Sequence, residues 1–328
     1  MTHSPAHEKT LQAIDVEGSV KNFGSNQAIA DINMTVPQGS IHAVLGPNGS
    51  GKTTAVRILT TLLKPTAGKI RVLGYDVVSQ PAAVRACVSL TGQFASQDED
   101  LTGQENLALI ARLYGYRGKK AQQRARALLS AFDLADAADR QVKFYSGGMR
   151  RRLDIAGSLV VPPKILFLDE PTTGLDPRSR NGVWDVVRAM AAVGTTVLLT
   201  TQYLEEADKL ADRITVLDKG HVVAEGTSSE LKARTGTGVL TIQLADEAFL
   251  KTAQDLLVRI VGSEALLPGE STTLKASLED RGLGARILTE LAQRDIEVQH
   301  FAIGGPTLDE AFLRLTDQAA QDPEGSSK

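Results

Sequence analysis

The chain carries a glycine-rich run at residues 46–53, GPNGSGKT, that fits the pattern G-x-x-x-x-G-K-[ST]. An apolar stretch at 40–45 precedes it and a helical stretch follows, which is the context in which glycines turn backbone N–H groups toward phosphates. We predict that Lys52 reaches the β- and γ-phosphates of a nucleotide and that Thr53 offers its hydroxyl to Mg²⁺. The alternative is a glycine turn with a solvated lysine. The residues predicted to bind the nucleotide here are Gly46, Pro47, Asn48, Gly49, Ser50, Gly51, Lys52, Thr53 and Thr54.

Two adjacent carboxylates, Asp169 and Glu170, follow a second apolar stretch at 164–168. In open α/β sheets ligands bind at the carboxyl ends of the strands, so both side chains are expected at the nucleotide site. We predict Asp169 as a Mg²⁺ ligand and Glu170 as the group that orients or deprotonates the attacking water. The alternative is a plain strand end followed by a turn at Pro171, and the glycine-rich run argues against it.

The third chemical feature is the turn Ser146-Gly147-Gly148, which opens a segment of helical periodicity. Ser146 is a good N-cap, and the free amides at a helix start form a second anion site. Two such sites that lie far apart in one fold cannot both bind one γ-phosphate, whereas a second chain could supply the second site. A second chain that presents Ser146, Gly147 and Gly148 could therefore complete a nucleotide site.

The elements that must position these residues follow an α/β pattern. From about residue 14 to 223, continuous apolar strands alternate with amphipathic helices, which favours a mostly parallel sheet covered on both faces. Near 226–238 the sequence becomes rich in Thr, Ser and Gly around a short charged helix, which is typical of a boundary. We predict a flexible N-terminus (1–12), a first domain (13–230), a second domain (236–317) and a disordered tail (318–328).

The second domain has a shorter pattern. Alternating strands at 239–244 and 296–303, helices at 248–261 and 283–292, and a short strand pair at 265–267 and 273–276 give the order β-α-β-β-α-β. This order predicts a small α+β unit of ferredoxin-like type. The domain has no polar constellation that indicates a second site.

Composition excludes several classes of function. With 36 basic against 39 acidic residues, the 328-residue chain has no overall field that would collect nucleic acid. The single Cys87 excludes an internal disulfide framework, and the 5 histidines lack metal-ligand spacing, which argues against zinc. The N-terminal residues do not form a secretion signal, and no apolar stretch is long enough for a membrane helix. We expect a soluble protein that depends on a partner for any work at a membrane.

Together these motifs resemble the ATP-binding cassette (ABC) ATPases over residues 14–225. The resemblance implies a P-loop cassette with a mostly parallel sheet, an antiparallel subdomain and a helical subdomain, with ATP and Mg²⁺ as ligands. It also implies that Phe23 stacks on adenine, that Gln93 contacts Mg²⁺ and water, and that 174–176 form the D-loop with Asp176 near catalysis. Phe23 could instead be core, and Gln93 a solvated loop residue. In this family two cassettes pair head to tail, which implies a homodimer.

The stretches at 89–93, 145–153 and 306–312 narrow the resemblance to the ATP-binding subunits of daunorubicin-resistance exporters. This subgroup implies export of drug or lipid-like compounds through a separate transmembrane permease, at the inner face of the membrane. Two alternatives are an importer subunit and a soluble ABC ATPase of DNA repair or translation. The second would bring a long coiled-coil insertion or two cassettes, and neither is present.

Two further features need interpretation. Gln202 stands where most ABC cassettes carry a histidine; its amide can bond a γ-phosphate but cannot titrate near neutral pH. Slower turnover and a mechanism that depends mainly on Glu170 both remain open.

The run Arg150-Arg151-Arg152 could suggest nucleic-acid binding, but we expect it to lie on an exposed helix face in a solvated or interfacial role.

Overall fold

The computed structural model describes residues 11–92, 97–234, 238–267, 272–278, 282–305 and 307–321. The chain divides into two compact units, Met1–Glu225 and Gly226–Lys328. The elements of the first unit are, in chain order, β1 (Gln12–Phe23), β2 (Asn26–Pro37), β3 (Ile41–Leu45), α1 (Lys52–Leu59), β4 (Ala67–Val72), β5 (Tyr75–Asp76), α2 (Pro81–Arg85), β6 (Val88–Thr91), α3 (Gly103–Leu113), α4 (Lys119–Ala131), α5 (Gly147–Ser158), β7 (Ile165–Asp169), α6 (Pro177–Ala192), β8 (Thr196–Thr201), α7 (Leu204–Leu210), β9 (Arg213–Asp218) and β10 (His221–Gly226).

A six-stranded sheet in the order β10-β9-β3-β8-β7-β6 forms the centre of the first unit. The pairs of β3 with β8 and β9, of β7 with β8, and of β6 with β7 are all parallel, as the continuous apolar strands predict. Leu45 lies opposite Thr201, and Asp169 lies opposite Thr200. The strands that precede the predicted phosphate loop, the carboxylate pair and Gln202 therefore end at the same edge of the sheet.

A second, antiparallel sheet has the order β2-β1-β4-β5. Helix α1 contacts both sheets, and its buried residues Val56, Ile58 and Leu59 belong to one apolar core with Ile14 and Phe167. Burying each large aliphatic side chain contributes roughly 1.5–3 kcal/mol. The helix that follows the phosphate loop is thus fixed between two layers.

Helices α3, α4 and α5 pack on one another as the helical part of this unit. A capping box fixes the start of α3, since the Thr102 hydroxyl accepts from Glu105 N–H while Glu105 accepts from Thr102 N–H. Leu107, Leu129 and Leu153 are fully buried among the three helices. This packing positions the N-terminus of α5, which carries the Ser-Gly-Gly turn.

The second unit folds around a four-stranded antiparallel sheet in the order β12-β13-β11-β14. This order, with the chain order β-α-β-β-α-β, confirms the predicted ferredoxin-like arrangement. Its core includes Leu240, Ile242, Leu257, Ile287 and Leu291. The elements are α8 (Ser228–Ala233), β11 (Gly238–Leu244), α9 (Leu250–Val261), β12 (Leu266–Leu267), β13 (Thr273–Leu278), α10 (Gly282–Ala292), β14 (Val298–Gly304) and α11 (Leu308–Gln321).

The domain limits differ in detail from the sequence prediction. The division falls after Glu225 rather than after 230, because α8 buries Leu231 and contacts α11 of the second unit. The predicted tail began at 318, but α11 continues to Gln321 through Ala and Gln residues of high helix propensity. The predicted flexible segment 1–12 falls mostly outside the described residues, and position 12 already belongs to β1.

Within the described part of the chain, no helix is long and apolar enough to cross a membrane.

Candidate active site

The glycine-rich run forms a loop between β3 and α1. Gly51 has φ +108°, and a Cβ there would lie 2.7 Å from the carbonyl oxygen of Ala28, so a side chain cannot replace its hydrogen. Gly46 N–H donates to the carbonyl of Thr201 (3.2 Å), and Gly220 N–H donates to the carbonyl of Ser50 (3.0 Å). These bonds anchor the loop, and α1 begins within the run at Lys52, where the first N–H groups of a helix have no partner within it and suit an anion.

Lys52 folds back over this loop. Its ammonium donates to the carbonyls of Gly46 (2.8 Å) and Pro47 (3.0 Å) and lies 3.6 Å from Oε1 of Glu170. Burial lowers the pKa of Lys52, and the neighbouring carboxylates of Glu170 and Asp169 oppose that shift. The side chain therefore holds a positive charge against the glycine-rich loop, and a positive charge there suits phosphate.

Asp169 connects the loop with two neighbouring strands. Its Oδ1 accepts from the hydroxyl of Thr53 (3.2 Å) and from the hydroxyl of Thr200 (2.6 Å). A carboxylate and a hydroxyl oxygen this close are the hard donors that Mg²⁺ takes when phosphates complete its coordination, so the pair fits that ion. No group of three or more His, Cys, Asp and Glu side chains among the described residues forms a metal site of its own.

Glu170 lies beside Lys52 with only 8% of its surface exposed. Its backbone is left-handed at φ +47°, which non-glycine residues rarely adopt and which often marks a functional position. Glu170 N–H donates to both the carbonyl and the hydroxyl of Thr200 (3.1 Å each), and its Oε2 accepts from the hydroxyl of Thr173 (3.3 Å). The carboxylate is thereby held at the sheet edge with one oxygen toward Lys52.

The Ser-Gly-Gly turn begins α5 as predicted. The Ser146 hydroxyl accepts from Met149 N–H (3.2 Å), while Ser146 and Gly147 are exposed. Gly148 is buried against the first turn of α6, where a Cβ would lie 2.5 Å from that of Ser179. Within the part of the chain that the structure describes, no hydrogen bond joins Ser146 or Gly147 to the 46–53 loop. The two predicted anion sites are not brought together by these contacts.

Asp176 has a structural task in this chain. It is exposed and caps α6, since Oδ1 accepts from Ser179 N–H (3.0 Å) and Oδ2 accepts from the Ser179 hydroxyl (2.6 Å). These bonds, the side-chain bond first, lower the pKa of Asp176. Because Gly148 packs on the same Ser179, the cap of α6 also supports the start of α5.

The remaining predicted residues lie around this edge or beyond it. Gln202 follows the last residue of β8 directly and is partly buried. Phe23 ends β1 with 49% of its surface exposed, and the ammonium of Lys21 lies 5.1 Å from its ring centroid, so it is not a core residue. Within the loop, the Ser50 hydroxyl is buried without a hydrogen-bond partner among the described residues. Gln93 lies outside the residues that the structure describes.

The arginine run was expected on an exposed helix face in a solvated or interfacial role, and the structure corrects the first part, since none of the three residues is exposed. The exposed side-chain fractions of Arg150, Arg151 and Arg152 are 32%, 11% and 20%, and each guanidinium makes hydrogen bonds within the chain. Their charge suggested that the side chains face solvent, but three successive residues of a helix point in different directions.

Sequence reasoning also missed Thr200, whose only signal is its position opposite Asp169 in the sheet.

Two family models match the chain. That of ABC transporters matches residues 29–173, and that of the C-terminal domain of DrrA1-3-like ATP-binding proteins matches residues 226–316. The first match covers the phosphate loop, the Ser-Gly-Gly turn and the carboxylate pair. The second covers most of the second unit. One match therefore falls in each unit of the chain.

Individual proteins agree with these models. A daunorubicin/doxorubicin resistance ATP-binding protein, DrrA, of Streptomyces peucetius is 52% identical over 95% of this chain and 94% of its own. A Nod factor export ATP-binding protein of Burkholderia lata is 36% identical over 94% of this chain and 98% of its own. A dimeric ATP-binding cassette solved in a post-hydrolysis state with ADP and Pi is 25% identical, with a TM-score of 0.59 over 65% of this chain and 98% of its own. The chain therefore belongs to the ABC ATPases, within the group of DrrA-like ATP-binding proteins.

Proposed function

We propose that two copies of this chain pair head to tail, so that each ATP lies between the 46–53 loop of one copy and the Ser146-Gly147-Gly148 turn of the other. The observation that carries this proposal is the exposed, N-capped start of α5, whose free amides have no bond to the loop in the described part of the chain. A dimeric relative with ADP and Pi supports it. A helix start of this kind binds anions through its N–H groups and its dipole.

The chain is an ATPase, and we assign the steps to its residues as follows. Lys52 and the loop amides bind the β- and γ-phosphates, and Thr53, Asp169 and Gln93 would hold Mg²⁺. When bound, that ion neutralises charge on the phosphates. Glu170 accepts the proton of the attacking water or orients it, close to Lys52.

Three further residues complete the assignment. Gln202 donates its amide to the γ-phosphate from the end of β8. Phe23, exposed at the end of β1, stacks on the adenine. Asp176 acts through the first turn of α6, where Ser179 contacts both its carboxylate and Gly148, and so keeps the α5 turn in position for the partner's nucleotide.

The chain is the ATP-hydrolysing subunit of an exporter, since its relatives serve drug resistance and Nod factor export. We propose that a separate transmembrane permease binds it at the inner face of the membrane and converts closure and reopening of the dimer into transport. We propose drug or lipid-like compounds as the class of cargo, and the relatives named for daunorubicin and doxorubicin resistance support the first of these. Its balanced charge gives no support to a nucleic-acid partner.

The ATPase rate per chain, measured against protein concentration, tests the dimeric site. We expect a rate that rises steeply with concentration, because active sites form only when two chains associate. Ser146→Arg places a bulky side chain at the α5 turn and should abolish that rise. Membranes that contain the permease partner should stimulate the ATPase rate of the wild-type chain. A rate per chain that is independent of concentration would exclude the head-to-tail site.

A further inference from the structure

The Arg151 side chain connects three chain segments in the first unit. From α5 its guanidinium donates to the carbonyl of Gly92 (2.6 Å), to that of Pro171 (2.9 Å) and to that of Asp169 (3.3 Å). Its fourth partner is the carboxylate of Asp154 at 3.3 Å, one helical turn along α5. With 11% of the side chain exposed, these contacts are shielded from water and are worth more than surface bonds.

Two of these carbonyls flank Glu170. The peptide group between Asp169 and Glu170 is held at both ends, because Arg151 binds its carbonyl and Thr200 accepts from its N–H. On the other side, Arg151 binds the carbonyl of Pro171. The left-handed conformation of Glu170, φ +47°, is unfavourable by itself and needs surrounding contacts to persist. Arg151 supplies contacts on both sides of it.

The third carbonyl ties the same guanidinium to another functional segment. Gly92 follows the end of β6 and precedes Gln93, the residue assigned to Mg²⁺ and water. Arg151 itself lies five residues after Ser146, on the helix whose start is assigned to the partner's nucleotide. One side chain therefore contacts the helix, the strand end before residue 93 and the backbone around the carboxylate.

We propose that Arg151 is a positioning residue for hydrolysis, which fixes the backbone on both sides of Glu170 and joins it to α5. The proposal rests on the assignment of Glu170 in the proposed function. Arginine suits this task because its planar fork carries donors on three nitrogens that reach separated acceptors, whereas the three donors of a lysine ammonium all lie on one compact nitrogen. A cation that served only to neutralise Asp154 would not need the fork.

Arg151→Lys tests the proposal in the full-length chain, with Arg152→Lys as the matched control. Both variants keep the charge, and Arg152 also donates to backbone carbonyls, but those belong to Phe132 and Asp133 away from the active site. Arg151→Lys is expected to lower kcat by about 10- to 100-fold, because misplacing a catalytic group by about 1 Å can cost that much. Its KM and its affinity for a fluorescent ATP analogue should stay within about threefold of the wild-type values. Arg152→Lys should keep near wild-type kcat.

A double variant separates positioning from general damage. In a Glu170→Gln background, Arg151→Lys should change the residual rate by less than about twofold, because the two residues act as one unit. Rates are expressed per chain that binds nucleotide, so partial misfolding does not imitate the effect. Three results would overturn the proposal. They are an unchanged kcat in Arg151→Lys, a loss of kcat in Arg152→Lys as large as that in Arg151→Lys, and a further loss of about 10- to 100-fold when Arg151→Lys is added to Glu170→Gln. If Glu170→Gln alone kept wild-type turnover, the assignment of Glu170 would fail instead.

Discussion

The ammonium of Lys52 lies 3.6 Å from the carboxylate of Glu170, and the two side chains are only 5% and 6% exposed. The pair joins the phosphate loop to the end of β7 across the edge of the parallel sheet. Lys52 also donates to two loop carbonyls, so its charge remains compensated from two directions. This geometry places the residue that we assign to phosphate binding beside the residue that we assign to the attacking water.

Lys52→Ala should weaken ATP binding by about 10- to 100-fold, which is the usual loss for a hydrogen bond to a charged group. The loop should keep its shape, because the Gly46 and Ser50 backbone bonds to Thr201 and Gly220 do not involve the lysine side chain. Equilibrium titration with a fluorescent ATP analogue measures the change. Unchanged affinity would contradict the role of the phosphate loop.

Glu170→Gln should keep ATP binding and dimer closure while it lowers turnover by about 10²- to 10⁴-fold, the range for loss of a general base. The amide keeps the size of the side chain and can still accept from the Thr173 hydroxyl, but it cannot take a proton. Single-turnover phosphate release reports this step when the protein is in excess and all of the ATP is bound. Phosphate release at the wild-type rate would exclude Glu170 as the group that activates water.

Gly148→Ala should disturb the contact between α5 and α6. The added Cβ would lie 2.5 Å from that of Ser179, so the helices must separate at an expected cost of about 1–3 kcal/mol. We expect lower ATPase activity with ATP affinity at the 46–53 loop retained, because the shift displaces Ser146 and Gly147.

Gly182→Ala is the matched control for that change. It lies in α6, and its added Cβ would lie 3.9 Å from Arg152 Cδ, an ordinary contact. Replacing a helical glycine by alanine stabilises by up to about 1 kcal/mol. Urea unfolding and ATPase assays on both variants separate the two cases. Equal behaviour of the two alanine variants would show that the close approach at Gly148 does not matter.

Because His42 is a buried titratable group, we predict that the free energy of unfolding depends on pH. The ring lies fully buried in β3, with Nε2 2.8 Å from the hydroxyl of Thr215, and Nδ1 has no hydrogen-bond partner among the described residues. Burial, with a smaller contribution from Arg213, lowers the pKa of His42 from 6.5 to about 4. The unfolded chain therefore takes up a proton at higher pH than the folded chain does.

The stability that neutral His42 provides is present above pH 6.5 and is lost as the pH falls toward about 4. A pKa shift of this size corresponds to a change of about 3 kcal/mol in the free energy of unfolding. Urea unfolding at pH 7.5 and pH 5.0 should show a larger loss for the wild-type chain than for His42→Gln, which cannot titrate. An equal loss in both proteins would show that another group causes the effect.

Sequence patterns predicted the parallel sheet, both glycine-rich turns and the carboxylate pair, because each depends on local order along the chain. Gly46–Thr53 and Ser146–Gly148 follow rules of loop and helix-cap geometry that need no tertiary information. The contacts of Thr200 and Arg151 could not be predicted in this way. Thr200 bonds Asp169, which is 31 residues away, and Arg151 bonds Gly92, which is 59 residues away, so only the fold brings each pair together. The division after Glu225 rather than after 230 depends on the burial of Leu231 in α8, which is a tertiary contact.

The most direct test of the head-to-tail site mixes two inactive variants. Lys52→Ala damages the phosphate loop and Ser146→Arg damages the α5 turn, so a heterodimer has one doubly damaged site and one intact site. If two sites work independently, a 1:1 mixture should recover about a quarter of the wild-type ATPase rate, since about half of the dimers are mixed. A mixture of Lys52→Ala with Glu170→Gln is the control and should stay inactive, because both residues serve the same half of a site. Restored activity in the first mixture alone is the predicted result, and two equally inactive mixtures would contradict the shared site.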